Sequence, residues 1–134
     1  MLHEMSNKQW LELFRICRTV LGTGDQLPMR SESWCSWTTF SRLNEDAKYW
    51  AAGVPNIEEL TESGIQDGGI WGQPFSFNEI AHLIIPQKFY WESSCNQTFN
   101  SGFKSQDIKL LSHTLTAHEL PHRITDLVLE VKCY

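Results

Sequence analysis

The stretch Gly69-Ile-Trp-Gly-Gln-Pro-Phe-Ser-Phe-Asn-Glu-Ile-Ala-His-Leu-Ile-Ile-Pro86 decides how this chain is read. It opens on a glycine and closes on a proline. From Ile80 to Ile85 only His82 interrupts Ile80, Ala81, Leu83, Ile84 and Ile85. A run this short, apolar and β-branched, bounded by breakers, predicts a strand covered on both faces. Such a strand belongs at the centre of a sheet, so the rest of the chain is expected to pack around it.

Upstream, Ser6 or Asn7 is placed to cap a helix over Lys8 to Leu21. Trp10, Leu13, Phe14, Cys17, Val20 and Leu21 recur at three- and four-residue spacing and form one apolar face, and Gly22 ends the helix. Asp25 to Pro28 reads as a turn. Met29 to Phe40 alternates, with Cys35 and Trp37 on one side and Ser36 and Thr38 on the other, which predicts extended structure bent near Ser33 or Ser36. Asn56 is expected to cap a short helix from Ile57 to Ser63. Downstream, Phe89-Tyr90-Trp91 leads into a polar loop, Glu92 to Gln97. Ser105 is expected to cap a second main helix reaching about Ala117, on the line Ile108, Leu111 and Leu115, with Pro121 as its stop. Two strands, 122–125 and 127–134, close the chain, the second burying Leu127, Leu129, Val131 and Cys133. The order predicts a single α+β domain over residues 1–134: a mostly antiparallel sheet with two main helices packed against it.

The length of 134 residues suits one domain, and 41% hydrophobic with 20% charged residues is the composition of a folded chain. No apolar run approaches a membrane span. The first residues lack the order of a signal peptide, so a cytoplasmic location is expected, with Cys17, Cys35, Cys95 and Cys133 reduced. The net charge is −5. Residues 44–67 hold six carboxylates against Lys48 alone, while the ten acidic and ten basic residues elsewhere cancel. That window is expected to be an acidic insertion carried on the fold. With no basic stripe to displace counterions, nucleic acid is disfavoured as a partner.

Several residue types invite chemistry. His113, His118 and His122 with Glu119 could suggest a metal. However, His113 and His118 are five apart and diverge on a helix, and Pro121 breaks the four-residue spacing to His122. Cys95 in a polar loop could be a nucleophile with His82 or His113 as base, but nothing in the spacing joins them. Gly68-Gly69-Ile70-Trp71-Gly72 precedes a strand, whereas phosphate-binding glycine loops follow one and open a helix. No catalytic, metal or cofactor site is therefore assigned. The six tryptophans are more telling. Trp50 lies inside the acidic window and Trp71 just after it. Aromatic anchors beside carboxylates suit the capture of a basic protein partner. The expected contact set is Glu45, Asp46, Trp50, Glu58, Glu59, Glu62, Asp67 and Trp71. The competing reading makes the rings the edge of a small core and the acids a solvated face.

The strand Pro74-Phe-Ser-Phe-Asn-Glu-Ile-Ala-His-Leu-Ile-Ile85 and the ending Leu120-Pro-His-Arg-Ile-Thr-Asp-Leu-Val-Leu-Glu-Val-Lys-Cys-Tyr134, in a short acidic α+β chain, resemble small cytosolic immunity proteins of bacterial toxin systems, including those of contact-dependent growth inhibition. The resemblance implies a non-enzymatic module that binds and neutralises a cognate toxin. It assigns no functional residue. A small enzyme with a cysteine or histidine centre, and a structural adaptor subunit, are the alternatives.

Overall fold

A computed structural model describes residues 4–45 and 48–134. The chain runs α1 (Asn7–Leu21), β1 (Cys35–Thr39), α2 (Phe40–Glu45), β2 (Trp50–Ala52), β3 (Gly64–Ile65), β4 (Phe75–Ser76), β5 (Ile80–Pro86), β6 (Lys88–Cys95), β7 (Thr98–Ser105), α3 (Ile108–Ala117), β8 (Arg123–Ile124) and β9 (Val128–Lys132). The fold is α+β. Its main sheet has the order β2-β1-β5-β9-β8, with every neighbour antiparallel and β5 at the centre.

Register explains which face of β5 is buried. Leu83 lies between Trp37 and Val131, and Ile85 beside Leu129. These side chains share one face of the sheet and join the buried stripes of α1 (Trp10, Leu13, Phe14, Cys17) and α3 (Ile108, Leu111, Leu115) in one core. The helices start where side chains satisfy their free amides. Ser6 Oγ accepts from the Gln9 N–H at 3.1 Å, and Gln9 Oε1 accepts from the Ser6 N–H at 2.8 Å. Asp107, not Ser105, caps α3 by accepting from the Leu110 N–H at 3.0 Å. Ser105 is instead the last residue of β7.

The second face of β5 is not covered as expected. It carries His82 and Ile84, flanked by Thr38 and Lys132 and by Ser36 and Glu130 respectively. On this face Ile84 is only half-buried. The apolar run reflected a central strand, but one with a dry face and a partly wet one. Leu127 also departs from expectation. It precedes β9 and is 73% exposed, whereas Leu129, Val131 and Cys133 are buried.

The 44–67 window is less peripheral than its composition suggested. Trp50–Ala52 forms the edge strand of the main sheet, and Ala52, Val54 and Ile65 belong to the core. The expected helix over 57–63 shrinks to one 3-10 turn, Ile57–Glu59, and the extended stretch from 29 is strand only from Cys35.

A long hairpin replaces the loop expected after Trp91. β6 and β7 pair over eight residues each around Asn96-Gln97, both with positive φ (48° and 66°), the two-residue turn whose twist matches a hairpin. One face of the hairpin is held down. Phe89 stacks on Trp34 at 5.7 Å, and Lys104 Nζ donates to the carbonyls of Pro28, Met29 and Ser31 at 2.9–3.0 Å. The Gln106 amide, 5% exposed, bonds both backbone groups of Trp34 and the carbonyl of Pro86, tying the end of the hairpin to β1 and β5. The other face bears Tyr90, Phe99 and Phe103, all exposed. Among the described residues no helix is long and apolar enough to cross a membrane.

Candidate functional site: an acidic groove beside the 24–30 loop

The residues expected to contact a partner divide into two groups. Trp71 is in the core. Its ring stacks on Trp37 at 3.6 Å and 9°, meets Phe14 and Phe75 edge-on at 5.5 Å, and donates Nε1–H to the Gly53 carbonyl at 3.0 Å. At 5% exposure it has no surface to offer, so its assignment as an anchor is corrected. Trp50 is half-buried. It stacks on Trp37 from the β2 side at 6.1 Å, and Arg42 covers its ring at 4.4 Å. These rings form a core edge.

Glu59 is also internal. Its two carboxylate oxygens accept from the Ile70 N–H at 2.7 Å and the Asn56 N–H at 2.8 Å, and it is 9% exposed. It fixes the approach of Gly69 to the 56–59 turn. A Cβ at Gly69 would collide with the Glu59 carboxylate. Its assignment as a contact residue is corrected to a structural one: a buried charge with both oxygens engaged is holding backbone together.

Glu45, Glu58, Glu62 and Asp67 remain exposed, and Asp46 lies outside the described residues. Glu58 lines an open groove whose walls are the 24–30 loop, the Asn56–Glu59 turn and the Gly68–Ile70 backbone. Asp25 lines the opposite wall. Its carboxylate accepts from the Leu27 N–H at 2.9 Å, an Asx turn that sets the loop. The groove holds Asp25, Glu58 and Glu59 against Arg30 alone. Asp67 directly precedes the Gly68–Gly69 wall. Two apolar side chains belong to the same loops: Leu27 is 42% exposed and Ile57 50%. Asp25, Leu27 and Ile57 were missed in the sequence. The first two lie in a turn outside the acidic window, and Ile57 reads only as the first residue of the expected helix to Ser63.

The wet face of β5 holds a second polar group. The Tyr49 hydroxyl meets His82 Nδ1 at 2.7 Å, and His82 Nε2 meets Glu130 at 3.0 Å. A carboxylate–imidazole–hydroxyl chain resembles a nucleophile relay, but its hydroxyl is poorly activated. Desolvation, with Tyr134 and Glu130 beside it, pushes the Tyr49 pKa up to about 12. A nucleophile needs the opposite shift. The chain instead fastens the 48–49 segment across the sheet, where the Thr38 hydroxyl also donates to the Lys48 carbonyl at 2.7 Å.

The other candidates separate in space. Cys95 is exposed at the hairpin tip, opposite Thr98. Cys17, Cys35 and Cys133 are buried and free, and burial raises the pKa of each. His122 Nε2 pairs with Ser112 Oγ at 2.7 Å, and His118 Nδ1 lies 2.9 Å from the Thr114 carbonyl. Among the described residues, no three His, Cys, Asp or Glu side chains are grouped to hold a metal ion. Compared with protein-family models, curated proteins and solved structures, the chain matches none.

Proposed function

We propose that this chain is a non-catalytic protein-binding module, an immunity protein that captures a basic toxin domain over the groove between the 24–30 loop and the 56–59 turn. The observation that carries the reading is the pairing of outward carboxylates with exposed aliphatic side chains in the same two loops. Asp25 and Leu27 stand on one wall and Glu58 on the other, with Ile57 next to Glu58 in the same turn and Asp67 beside the glycine wall. Carboxylates at a rim steer a basic partner and speed its arrival. Aliphatic anchors, desolvated on docking, slow its departure. The toxin setting comes from the sequence resemblance, and the charge of the groove sets the sign of the partner.

The test is co-expression with the protein encoded next to this chain's gene, followed by binding kinetics on the purified pair. The neighbour is expected to arrest growth, and this chain to restore it. Changing Glu58 and Glu62 to Gln together with Asp67 to Asn should slow association about tenfold at low salt. Leu27→Ser with Ile57→Ser should mainly raise the dissociation rate. A harmless neighbour, or association at the wild-type rate in the charge variant at low salt, overturns the reading.

A further inference from the structure

Among the described residues, β7 pairs with β6 on one edge only. The two-residue turn makes Cys95 and Thr98 a hydrogen-bonded pair, so alternate residues along β7 bond back to β6. Phe99, Ser101 and Phe103 fall in the other set. Their N–H and C=O groups point away from β6, along an edge that pairs with no other strand among the described residues. Natural edges are blunted by charge, proline or a covering loop. This one has eight residues, no proline and a single charge, Lys104. The Lys104 ammonium is committed to three carbonyls on the opposite side of the hairpin from Phe99 and Phe103. Phe99 and Phe103 are 61% and 69% exposed, and Tyr90 lies 5.5 Å from Phe103 on the same face.

The geometry points to a second copy of this chain as the occupant, paired antiparallel along β7 about a two-fold axis at Ser101. The segment Thr98-Phe-Asn-Ser-Gly-Phe-Lys104 places Phe residues symmetrically about Ser101. In this register Phe99 faces Phe103 of the second copy and Phe103 faces its Phe99. Ser101 faces its own equivalent. All three outward-pointing residues then meet outward-pointing residues, giving six backbone hydrogen bonds. Each cross-strand row reads Tyr90, Phe103, then Phe99 of the second copy. Charge also favours a like chain here. Lys104 would face Thr98, so no like charges oppose across the new strand pair, and the carboxylate of this hairpin face, Glu92, lies one strand back from the axis beside Ser101. Phe99 and Phe103, already partly covered, leave at most roughly 400–650 Å² of side-chain surface to bury over the two copies. Even with the strand edges this stays below the stable interfaces of about 1,200 Å². The dimer is therefore weak and reversible, and it leaves the acidic groove out of its contact.

Sedimentation velocity of the full chain over a concentration series tests this. The wild type should pass from monomer to dimer at micromolar concentrations or above. Ser101→Pro removes one outward N–H and leaves the β6 ladder intact, so it should weaken dimerisation at least tenfold with an unchanged near-UV circular dichroism spectrum. If Ser101→Pro disturbs folding, Ser101→Lys serves instead, since it sets two ammonium groups together on the axis. In a Cys95→Ser background, Ser101→Cys should give a disulfide-linked dimer on mild oxidation and Ser105→Cys should not. A wild type that stays monomeric to hundreds of micromolar overturns the proposal. So does a dimer that survives both Ser101→Pro and Ser101→Lys. If the wild type is monomeric and Ser101→Pro weakens toxin binding, the edge takes a strand of the toxin and the second-copy assignment is wrong. Loss of toxin binding in the charge variant alone bears only on the groove.

Discussion

Replacing Glu59 by glutamine separates a structural acid from a contact acid. The wild-type carboxylate accepts two backbone N–H groups, Ile70 at 2.7 Å and Asn56 at 2.8 Å, in a buried position. Glutamine keeps the shape but offers one acceptor. Its amide NH2 must then face one of the two N–H donors. A hydrogen bond to a charged acceptor contributes ~1.5–3 kcal/mol, and an orphaned buried donor costs ~1–3 kcal/mol. Relief of the buried charge offsets part of this. The net loss should be about 2–3 kcal/mol, or roughly 6–15 °C in Tm for a domain of this size. Urea denaturation and thermal melts at neutral pH read it. Glu58→Gln, on the exposed neighbour, should stay within ~0.5 kcal/mol of wild type. Gly69→Ala drives a methyl into the same carboxylate and should also destabilise. Combined with Glu59→Gln, the two losses should not add, because both act on one contact. If Glu59→Gln melts like the wild type while losing a partner, the assignment of Glu59 to the fold is wrong.

Two further outcomes follow from the core. Trp71→Phe should cost about 1–2 kcal/mol more than Trp37→Phe by urea denaturation. Trp71 loses a bond to Gly53, whereas the buried Trp37 Nε1–H has no partner to lose. Native protein should react with iodoacetamide at one thiol, Cys95, and at four once unfolded. Raised folded pKa values at Cys17, to about 12, and at Cys35 keep these thiols neutral, so their contribution is complete below the unfolded thiol pKa. It should fall as pH rises above about 9, by about 1.4 kcal/mol per unit for Cys17 up to about 12, with Cys35 acting in the same direction. Melts that are flat across that range refute the burial of Cys17 and Cys35.

The legible parts of this fold were a helical repeat and a short run closed by breakers. The α1 stripe and the β5 run each placed an element near its true bounds, the first by its three- and four-residue spacing and the second by its length and flanking glycines and proline. Ile84 was misjudged because an unbroken apolar run is the same whether the second face is covered or merely flanked by Ser36 and Glu130. The hairpin was hidden for a different reason. Its turn is Asn96-Gln97, and glutamine at φ 66° carries none of the glycine signal that marks such turns. The strands themselves alternate between Phe89 or Trp91 inside and Tyr90 or Phe103 outside. Both faces therefore read as apolar, and no face could be chosen from the sequence.

The acidic window shows why charge and aromatic content could not locate the site between them. Acidity is a sum over a segment, but a contact is made by single side chains whose direction the backbone decides. Glu58 and Glu59 are adjacent in one 3-10 turn, and that turn sends one outward and the other onto two backbone amides. Tryptophan beside acid gave no better guide. The ring of Trp71 is needed between Trp37 and Phe75, where a core this small has to be filled by large flat groups. With the rings drawn inward, the large apolar side chains left exposed in these loops are Leu27 and Ile57, the two that the proposed function takes as anchors. The groove is thus defined by turn geometry, the Asx turn at Asp25 and the carboxylate clamp at Glu59, more than by the count of charges around it. Breaking either turn should disperse the site even where every rim carboxylate is kept. Asp25→Ala should therefore weaken partner binding by raising the dissociation rate more than the loss of one charge slows association. An Asp25→Asn variant, which can still accept the Leu27 N–H, should keep most of the affinity. If Asn and Ala behave alike, Asp25 acts through its charge and the turn does not position Leu27.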